Sequence, residues 1–246
     1  MGLMARGAAG IAAAGLLMGL LAGCAGGNPD AQGINDPYER GNRSVHAFNK
    51  SVDSMLFKDA DVPEPLMRPI TNVGHNLGLP GKVINSLLQG RLEPAGQNTF
   101  RFLLNSTLGI AGLFDVAQSF GLPEAHTDFG ETLHVWGVGE GAYLELPLLG
   151  PSTERDALGR VVDIVFDPVT TVLSGRDASV ATAFTLGSKV GDRLRFGGAV
   201  DSVLYESADS YAQSRLLYLQ SRRHQLSGQE ENDAEAFDPY ADPYAE

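Results

Sequence analysis

The chain has little with which to hold a metal ion or to close a disulfide. Cys24 is the only cysteine among 246 residues, so no disulfide can form within the chain. No two of the five histidines have the i, i+4 spacing of a zinc-binding helix. These histidines are His46, His75, His126, His134 and His224. We therefore predict no metal site and no cofactor.

Motifs of the common nucleotide-binding and hydrolytic enzymes are also missing. The glycines Gly137, Gly139 and Gly141 are followed by neither Lys-Ser nor Lys-Thr, so the sequence does not indicate a phosphate loop. No Gly-x-Ser-x-Gly elbow is present. Basic residues are outnumbered, 18 against 30 acidic ones, which argues against a nucleic-acid partner. We predict a protein that is not an enzyme and does not bind nucleic acid.

The chain does carry an export signal at its N-terminus. Arg6 is the only charge in the first 29 residues, and an apolar run, Ala8–Ala22, follows it. The run is too short to span a bilayer comfortably, so we predict a signal peptide at residues 1–23. The tetrad Leu21-Ala22-Gly23-Cys24 resembles the lipobox of bacterial lipoproteins, which implies that Cys24 carries acyl chains. Ala25, in place of an aspartate, is similar to the sorting pattern that implies the outer membrane, with the protein facing the periplasm.

Composition divides the rest of the chain into three parts. Residues 24–34, mostly glycine, asparagine, glutamine and alanine, predict a flexible tether. Residues 227–246 predict an acidic, disordered tail. Between them, residues 35–226 predict a mainly helical domain, because apolar residues such as Val45, Phe48 and Val52 recur at helical spacing.

Prolines and glycines set the expected breaks within this domain. Pro69 and Pro80 favour short helices over about residues 66–76 and 80–90. Glycines alternate with apolar residues over 128–153, which favours a Gly-rich loop or short hairpin. A long amphipathic helix is expected from about Gly198 to Arg223.

The most apolar part of the domain, residues 100–122, is interrupted by polar side chains. The residues Arg101, Asn105, Ser106, Thr107 and Asp115 make it too broken to span lipid alone. Amphipathic helices of this kind lie in a membrane interface, surround a lipid path, or pack their apolar stripes into an ordinary core. Taken together in an exported chain, they favour a lipoprotein that contacts lipid.

Several ordered blocks of residues resemble the MlaA (VacJ) family of lipoproteins, over about residues 24–224. The first blocks are Asn35-Asp36-Pro37-Tyr38-Glu39 with Asn42-Arg43 and Phe48-Asn49, then Phe100–Gly109, Gly112–Ala117, Phe129–Leu133, Gly137–Tyr143 and Leu146–Ser152. Arg155-Asp156 follows closely, and Tyr205-Glu206 with Asp209-Ser210-Tyr211 is similar to the last helix of the family. The acidic tail lies outside the resemblance.

The resemblance implies a ring-like arrangement of amphipathic helices around a central channel, within the inner leaflet of the outer membrane. Mislocalised phospholipid would leave the outer leaflet through this amphipathic channel and pass to a soluble periplasmic lipid carrier. The carrier would feed an inner-membrane ABC transporter, and a porin trimer would bind the ring. The result would be an asymmetric outer membrane.

Nine residues are candidates for lining or gating this channel. They are Phe48, Asn49, Arg101, Asn105, Ser106, Thr107, Gly137, Gly139 and Gly141. For the polar residues of the apolar segment the alternative is a role in capping helix ends, and for the glycines it is a static turn. Two alternatives remain for the whole chain: a structural or scaffolding lipoprotein that binds a porin or cell-wall partner, and a lipid-modifying enzyme such as a phospholipase.

Overall fold

The computed structural model describes residues 33–58, 60 and 62–234, with side chains as far as residue 227. The predicted signal peptide, Cys24 and all but the last two residues of the tether lie outside the described residues, as do residues 235–246.

The described chain is mainly helical, as predicted, with one short hairpin. In order, the elements are α1 (Glu39–Phe57), α2 (Glu64–Leu88), α3 (Leu92–Thr107), α4 (Val116–Ser119), α5 (Phe129–Val135), β1 (Tyr143–Leu146), β2 (Gly150–Thr153), α6 (Glu154–Val165), α7 (Pro168–Val172), α8 (Arg176–Arg195), α9 (Gly197–Asp201), a π-helical turn (Ser202–Glu206) and α10 (Ser210–Ala234).

Helix α2 corrects the prediction of two short helices over 66–76 and 80–90. It runs unbroken from Glu64 to Leu88 and contains both Pro69 and Pro80. A proline inside a helix removes one backbone hydrogen bond, so the surrounding packing must compensate for it. Helix α8 supplies that packing along α2, and a Cβ on Gly74 would lie only 2.4 Å from a backbone oxygen of α8.

The end of the chain corrects two further predictions. The single helix expected over 198–223 is interrupted, because Ser207 has an extended backbone with ψ of 149° and α10 begins afresh at Ser210. The side chain of Asp209 accepts the amide of Ala212 at 3.1 Å and so caps the new helix. Helix α10 then continues to Ala234, so the tail predicted to be disordered from residue 227 is helical over its first eight residues (234 − 226 = 8).

The short hairpin predicted within residues 128–153 is confirmed, but the same range begins with helix α5, which corrects the expectation of a loop or hairpin throughout. Asp128 starts this helix by accepting the amide of Glu131 at 2.8 Å. Strands β1 and β2 are antiparallel, and Tyr143 pairs with Thr153. The amide of Tyr143 also donates to the carbonyl of Asn35 at 2.8 Å, and Arg223 on α10 donates to the carbonyl of Gly33 at 3.1 Å. The N-terminal segment is therefore fastened to both the hairpin and the last helix.

Candidate functional site

Polar side chains fill the interior of the described fold, and large apolar side chains cover much of its surface. Among the residues that the structure describes, 17 polar or charged residues are buried against 12 hydrophobic ones, while 32 large hydrophobic residues are exposed. Phe100 and Phe166, for example, are 63% and 68% exposed. Buried polar groups and extensive exposed apolar surface are the informative departures from the soluble pattern. This inverted distribution is suited to contact with lipid.

Helix α3 shows the inversion within one element. Asn98, Arg101 and Asn105, at positions i, i+3 and i+7, are buried on one face. Phe100 and Leu103, on the other side of the helix, are exposed. The polar side chains that interrupt the apolar segment therefore point into the protein, and its apolar side chains point out.

Arg101 and Asn105 both bind Asp115, the residue before α4. Arg101 Nη2 donates to the two carboxylate oxygens of Asp115 at 3.0 and 2.9 Å, and Asn105 Nδ2 donates to one of them at 3.0 Å. Arg101 also donates through Nη1 to the carbonyl of Leu122. The two side chains therefore hold the segment that follows α3 against that helix.

Ser106 and Thr107 have different surroundings. Asn76 Nδ2 on α2 donates to the half-buried hydroxyl of Ser106 at 3.0 Å. Thr107 is exposed, and its hydroxyl donates to the carbonyl of Leu103 in its own helix at 2.6 Å. The structure thus brings three of the four polar candidates of this segment together beside α2 and leaves Thr107 outside that group.

Arg101, Asn105 and Asn76 line a small polar cleft between α2, α3 and the segment that leads to α5. Its lining consists of Asn72, His75, Asn76, Leu79, Arg101, Asn105, Asp115 and Glu124. Two buried atoms, Asn76 Oδ1 and Arg101 Nε, have no hydrogen-bond partner among the described residues. Burial raises the pKa of Glu124, but the hydrogen bond from His126 and the charge of Lys82 bring that pKa well below its usual range. The cleft therefore offers an unpaired donor and an unpaired acceptor in charged surroundings.

The candidates Phe48 and Asn49 face in different directions. Asn49 Nδ2 donates to the carbonyl of Leu146 at 2.9 Å, and its Oδ1 accepts the amide of Leu148 at 2.7 Å, so it clamps the hairpin to α1. Phe48 is exposed. Asn42, two helical turns earlier, both donates to and accepts from the backbone of β1 in the same way. Sequence reasoning gave Asn42 no role, although its seven-residue spacing from Asn49 places both amides on one helix face.

A buried histidine beside the hairpin has the hydrogen-bond order of a catalytic triad. His46 Nδ1 lies 3.3 Å from Glu145 Oε1, and its Nε2 lies 3.1 Å from the hydroxyl of Ser210. The start of α10, where an oxyanion would need donors, is instead capped by the carboxylate of Asp209, which accepts the amide of Ala212. We interpret the cluster as a fastening of α1 to the hairpin and α10.

The three candidate glycines occupy different environments. Gly137 has φ of +86° and ends α5, where its amide donates to the carbonyl of His134 at 2.8 Å. Gly141 has φ of +74°, and a Cβ there would lie 2.6 Å from a carboxylate oxygen of Glu154. Gly139 has neither constraint, since a Cβ would meet nothing within 4 Å. A mobile loop at these glycines stays a prediction.

A second buried charge cluster joins α6 to α10. Asp156 is 4% exposed and accepts hydrogen bonds from Arg155, Arg222 and Tyr218, the last at 2.6 Å. Burial raises the pKa of Asp156, but the charges of Arg222 and Arg155 outweigh it and lower the pKa below its usual value. Asp156 and Arg222 lie 66 residues apart, so no local spacing pattern indicated this cluster.

The fold and these sites define a class: helical proteins with a polar interior and a lipid-compatible surface. Within the described part of the chain, no helix is both long and apolar enough to cross a bilayer. Residues 34–225 match the model of the MlaA lipoprotein family. The chain belongs to this family of lipoproteins.

Relatives and a solved structure agree with that assignment. Proteins of Shigella flexneri and of Escherichia coli K12, each named intermembrane phospholipid transport system lipoprotein MlaA, are 34% identical over 82% of this chain and 82% of their own length. A protein of Rickettsia bellii described only as uncharacterized is 31% identical over 77% of this chain and 76% of its own. A solved structure described as the structural basis for maintenance of bacterial outer membrane lipid asymmetry is 30% identical, with a TM-score of 0.63, over 78% of this chain and 98% of its own.

Proposed function

We propose that this protein is an outer-membrane lipoprotein that removes mislocalised phospholipid from the outer leaflet and passes it to a periplasmic lipid carrier, which maintains lipid asymmetry. The observation that supports this most directly is the inverted distribution of side chains, with polar groups inside and large apolar groups outside. The names of the relatives in Shigella flexneri and Escherichia coli, which refer to intermembrane phospholipid transport, agree with it.

The physical reason lies in the two halves of a phospholipid. Its acyl chains are compatible with the exposed apolar surface, whereas its charged headgroup is expensive to place in hydrocarbon. A ring of helices with a polar lumen would lower that cost by giving the headgroup hydrogen-bonding partners along its way. The buried polar face of α3 is the part of such a lumen that the side chains support best.

The proposal includes the anchor and the partners. Cys24 carries the lipid, residues 24–34 form the tether, and residues 35–226 form the transporting domain on the periplasmic side of the outer membrane. A porin trimer binds the ring, and the soluble carrier delivers lipid to an inner-membrane ABC transporter. The protein itself carries out no bond chemistry.

The scaffolding alternative is less consistent with the side-chain distribution. A lipoprotein that only bound a porin or the cell wall would be expected to pack its apolar stripes into one core. The described stripes instead include exposed residues on α2, α3, α6 and α8.

The test is a measurement of phospholipid in the outer leaflet of intact cells. Cells that lack the protein should show more phosphatidylethanolamine accessible to a membrane-impermeant amine-reactive reagent than cells that carry it. Restoring the wild-type chain should reverse the increase. Equal labelling in the two strains would overturn the proposed transport function, and co-purified phospholipid identified by mass spectrometry would support it further.

The anchor is tested with the same readout. A Cys24→Ala variant should be missing from the outer-membrane fraction and should fail to restore low labelling, because the acyl chains provide the anchor. Full restoration by this variant would show that lipid on Cys24 is dispensable.

A further inference from the structure

The segment between α3 and α4 has an unusual backbone. Ile110, Ala111 and Gly112 are consecutive residues with positive φ, at 54°, 57° and 90°. A β-branched residue such as Ile110 rarely adopts this conformation, and it persists only where the surroundings hold it. Strain of this kind often occurs in segments that move or bind ligands. The strained backbone therefore marks this segment as a candidate for movement or ligand binding.

Side chains of α2 and α3 hold this segment from the inside. Asn72 Nδ2 donates to the carbonyl of Leu113 at 3.0 Å. Gly112 lies so close to Asn76 that a Cβ would be 2.8 Å from its side chain. Arg101 binds the carboxylate of Asp115 at the end of the segment. Backbone hydrogen bonds to the end of α3, such as Gly112 N to the carbonyl of Asn105 at 2.7 Å, complete the attachment, and the outer side of the segment is apolar and exposed.

The polar cleft beneath the segment has unused hydrogen-bonding capacity. Arg101 is 3% exposed, and its Nε lacks a hydrogen-bond partner within the described chain. Asn76 Oδ1, also buried, likewise lacks one there. Both residues line the cleft. Leaving a buried donor and a buried acceptor unpaired costs free energy, and a ligand that pairs with both atoms would recover that cost.

The carboxylate of Asp115 binds Arg101 in the way that a phosphate group would. Guanidinium groups bind carboxylate and phosphate oxygens with the same paired hydrogen bonds. Asp115 presents two oxygens to Arg101 and carries the same single negative charge as the phosphodiester of a phospholipid. An exchange of one for the other would leave the net charge beside Arg101 unchanged.

We infer that the Arg101 cleft binds the phosphate of a phospholipid headgroup, and that Asp115 occupies this site when lipid is absent. The inference rests on the proposed transport function. When lipid arrives, its phosphate replaces the carboxylate of Asp115 at Arg101, and Nε becomes an additional donor. Asn76 Oδ1 accepts from the ammonium group of ethanolamine. The strained segment, released at Asp115, moves away and admits the headgroup.

The first test compares two charge-removing variants of the full-length, lipidated protein in a nonionic detergent. Asp115→Asn weakens the internal competitor at Arg101. Asp128→Asn is the matched control, because Asp128 also precedes a short helix, accepts an amide of that helix at 2.8 Å and binds a buried arginine, Arg222, at 2.7 Å. The probe is dihexanoyl phosphatidylethanolamine, with binding measured by calorimetry. Dihexanoylglycerol, which has the same acyl chains without the phosphate, and inorganic phosphate are the comparison ligands.

Asp115→Asn should bind the phospholipid roughly ten-fold more tightly than the wild type, because a charge-assisted hydrogen bond no longer competes. Asp128→Asn should bind it as the wild type does, and dihexanoylglycerol should show no gain in either variant. Unchanged or weaker binding by Asp115→Asn, or an equal gain in Asp128→Asn, would overturn the inference. A gain seen with inorganic phosphate and not with the phospholipid would overturn the assignment to a lipid headgroup.

A second measurement needs no variant and therefore does not depend on Asp115→Asn folding. Hydrogen exchange of residues 108–118 in the wild type should become faster when dihexanoyl phosphatidylethanolamine is added, since the segment is released. Dihexanoylglycerol should not have this effect. Unchanged or slower exchange with the phospholipid would contradict the displacement of Asp115. Neither the calorimetry nor the hydrogen exchange depends on the labelling of intact cells. The labelling assay can therefore support transport while these two measurements reject the Arg101 site, and it can reject transport while they support the site.

Discussion

Replacing Asp156 with asparagine removes one negative charge from the buried cluster between α6 and α10. The carboxylate accepts from Arg155 Nε at 3.1 Å, from Arg222 Nε and Nη2 at 3.2 Å each, and from the hydroxyl of Tyr218 at 2.6 Å. An asparagine amide keeps one oxygen acceptor and turns an NH₂ group toward positively charged donors. Two buried guanidinium groups would then lose their shared counter-charge.

The expected loss of stability follows from this burial. Breaking a buried ion pair by removing one partner costs about 3–5 kcal/mol, since the remaining charge stays buried without compensation. Arg222 keeps its bond to Asp128 at 2.7 Å, which places the expected value toward the lower end of that range. With a urea dependence of about 2 kcal/mol/M, the unfolding midpoint should fall by roughly 1.5 M.

The assay is urea unfolding of the full chain in detergent, followed by far-ultraviolet circular dichroism. Glu39→Gln is the matched control, because Glu39 binds Arg43 at 2.7 Å with both side chains more than 40% exposed. Exposed pairs of this spacing contribute about 0.3–0.5 kcal/mol, so its midpoint should hardly change. Equal, small shifts of the midpoint in the two variants would refute the reasoning that the buried cluster contributes more to the free energy of unfolding than the exposed Glu39–Arg43 pair does.

The same carboxylate gives the pH dependence a defined sign. The folded-state pKa of Asp156 is lowered, so its contribution is fully present above its unfolded pKa of about 3.9 and is lost as the pH falls through the folded value. The stability difference between the wild type and Asp156→Asn should therefore be constant near neutral pH and shrink below about pH 4. A difference that grew on acidification would contradict this assignment.

Three further predictions concern side chains and glycines at close contacts. Gly159→Ala should destabilise the fold by about 3 kcal/mol or more in the same urea assay, because its Cβ would lie 2.2 Å from a backbone nitrogen at the start of α5. The control is Gly78→Ala, which lies in open space on α2 and should be neutral or stabilising by up to about 1 kcal/mol. Gly141→Leu should lower the melting temperature, because Gly141 has positive φ and lies against the side chain of Glu154. Gly139→Leu should leave the melting temperature unchanged, since a Cβ there meets nothing within 4 Å. Only Gly139→Leu therefore tests the mobile-loop prediction in the outer-leaflet labelling assay. Asn49→Ala should cost about 1–3 kcal/mol and speed hydrogen exchange of the hairpin amides, and unchanged exchange would count against the clamp.

Periodicity in the sequence predicted a mainly helical domain and helix α1, but not every helix boundary and not which face of each helix lies inside. The apolar stripe that includes Phe48 correctly predicted α1. The period of 3.6 residues determines which residues share a face of that helix. In α1, however, Asn42 and His46 are buried while Phe48 is exposed. An apolar stripe turns inward in water and outward in lipid, so the pattern cannot choose between them without knowledge of the solvent.

Contacts between distant residues were beyond any local pattern. The polar residues of the apolar segment were singled out as channel candidates, a role that stays a prediction. The pairing of Arg101 with Asp115 was not identified, because it depends on the path of the strained segment. The unbroken course of α2 through Pro80 was also missed, since the helix that packs along α2, α8, begins only at Arg176, far along the chain.

The attachment of Gly33 to α10 limits how far the domain can lie from Cys24, the proposed anchor. Eight residues, 25–32, separate Cys24 from Gly33, whose carbonyl accepts a hydrogen bond from Arg223. A chain of that length reaches at most about 30 Å even when fully extended. If Cys24 carries the proposed acyl chains, the side of the domain formed by the hairpin and α10 is held nearest to the anchor, and the opposite side can lie farther from it. Lengthening the segment 25–32 would increase this maximum distance without changing any of the described residues.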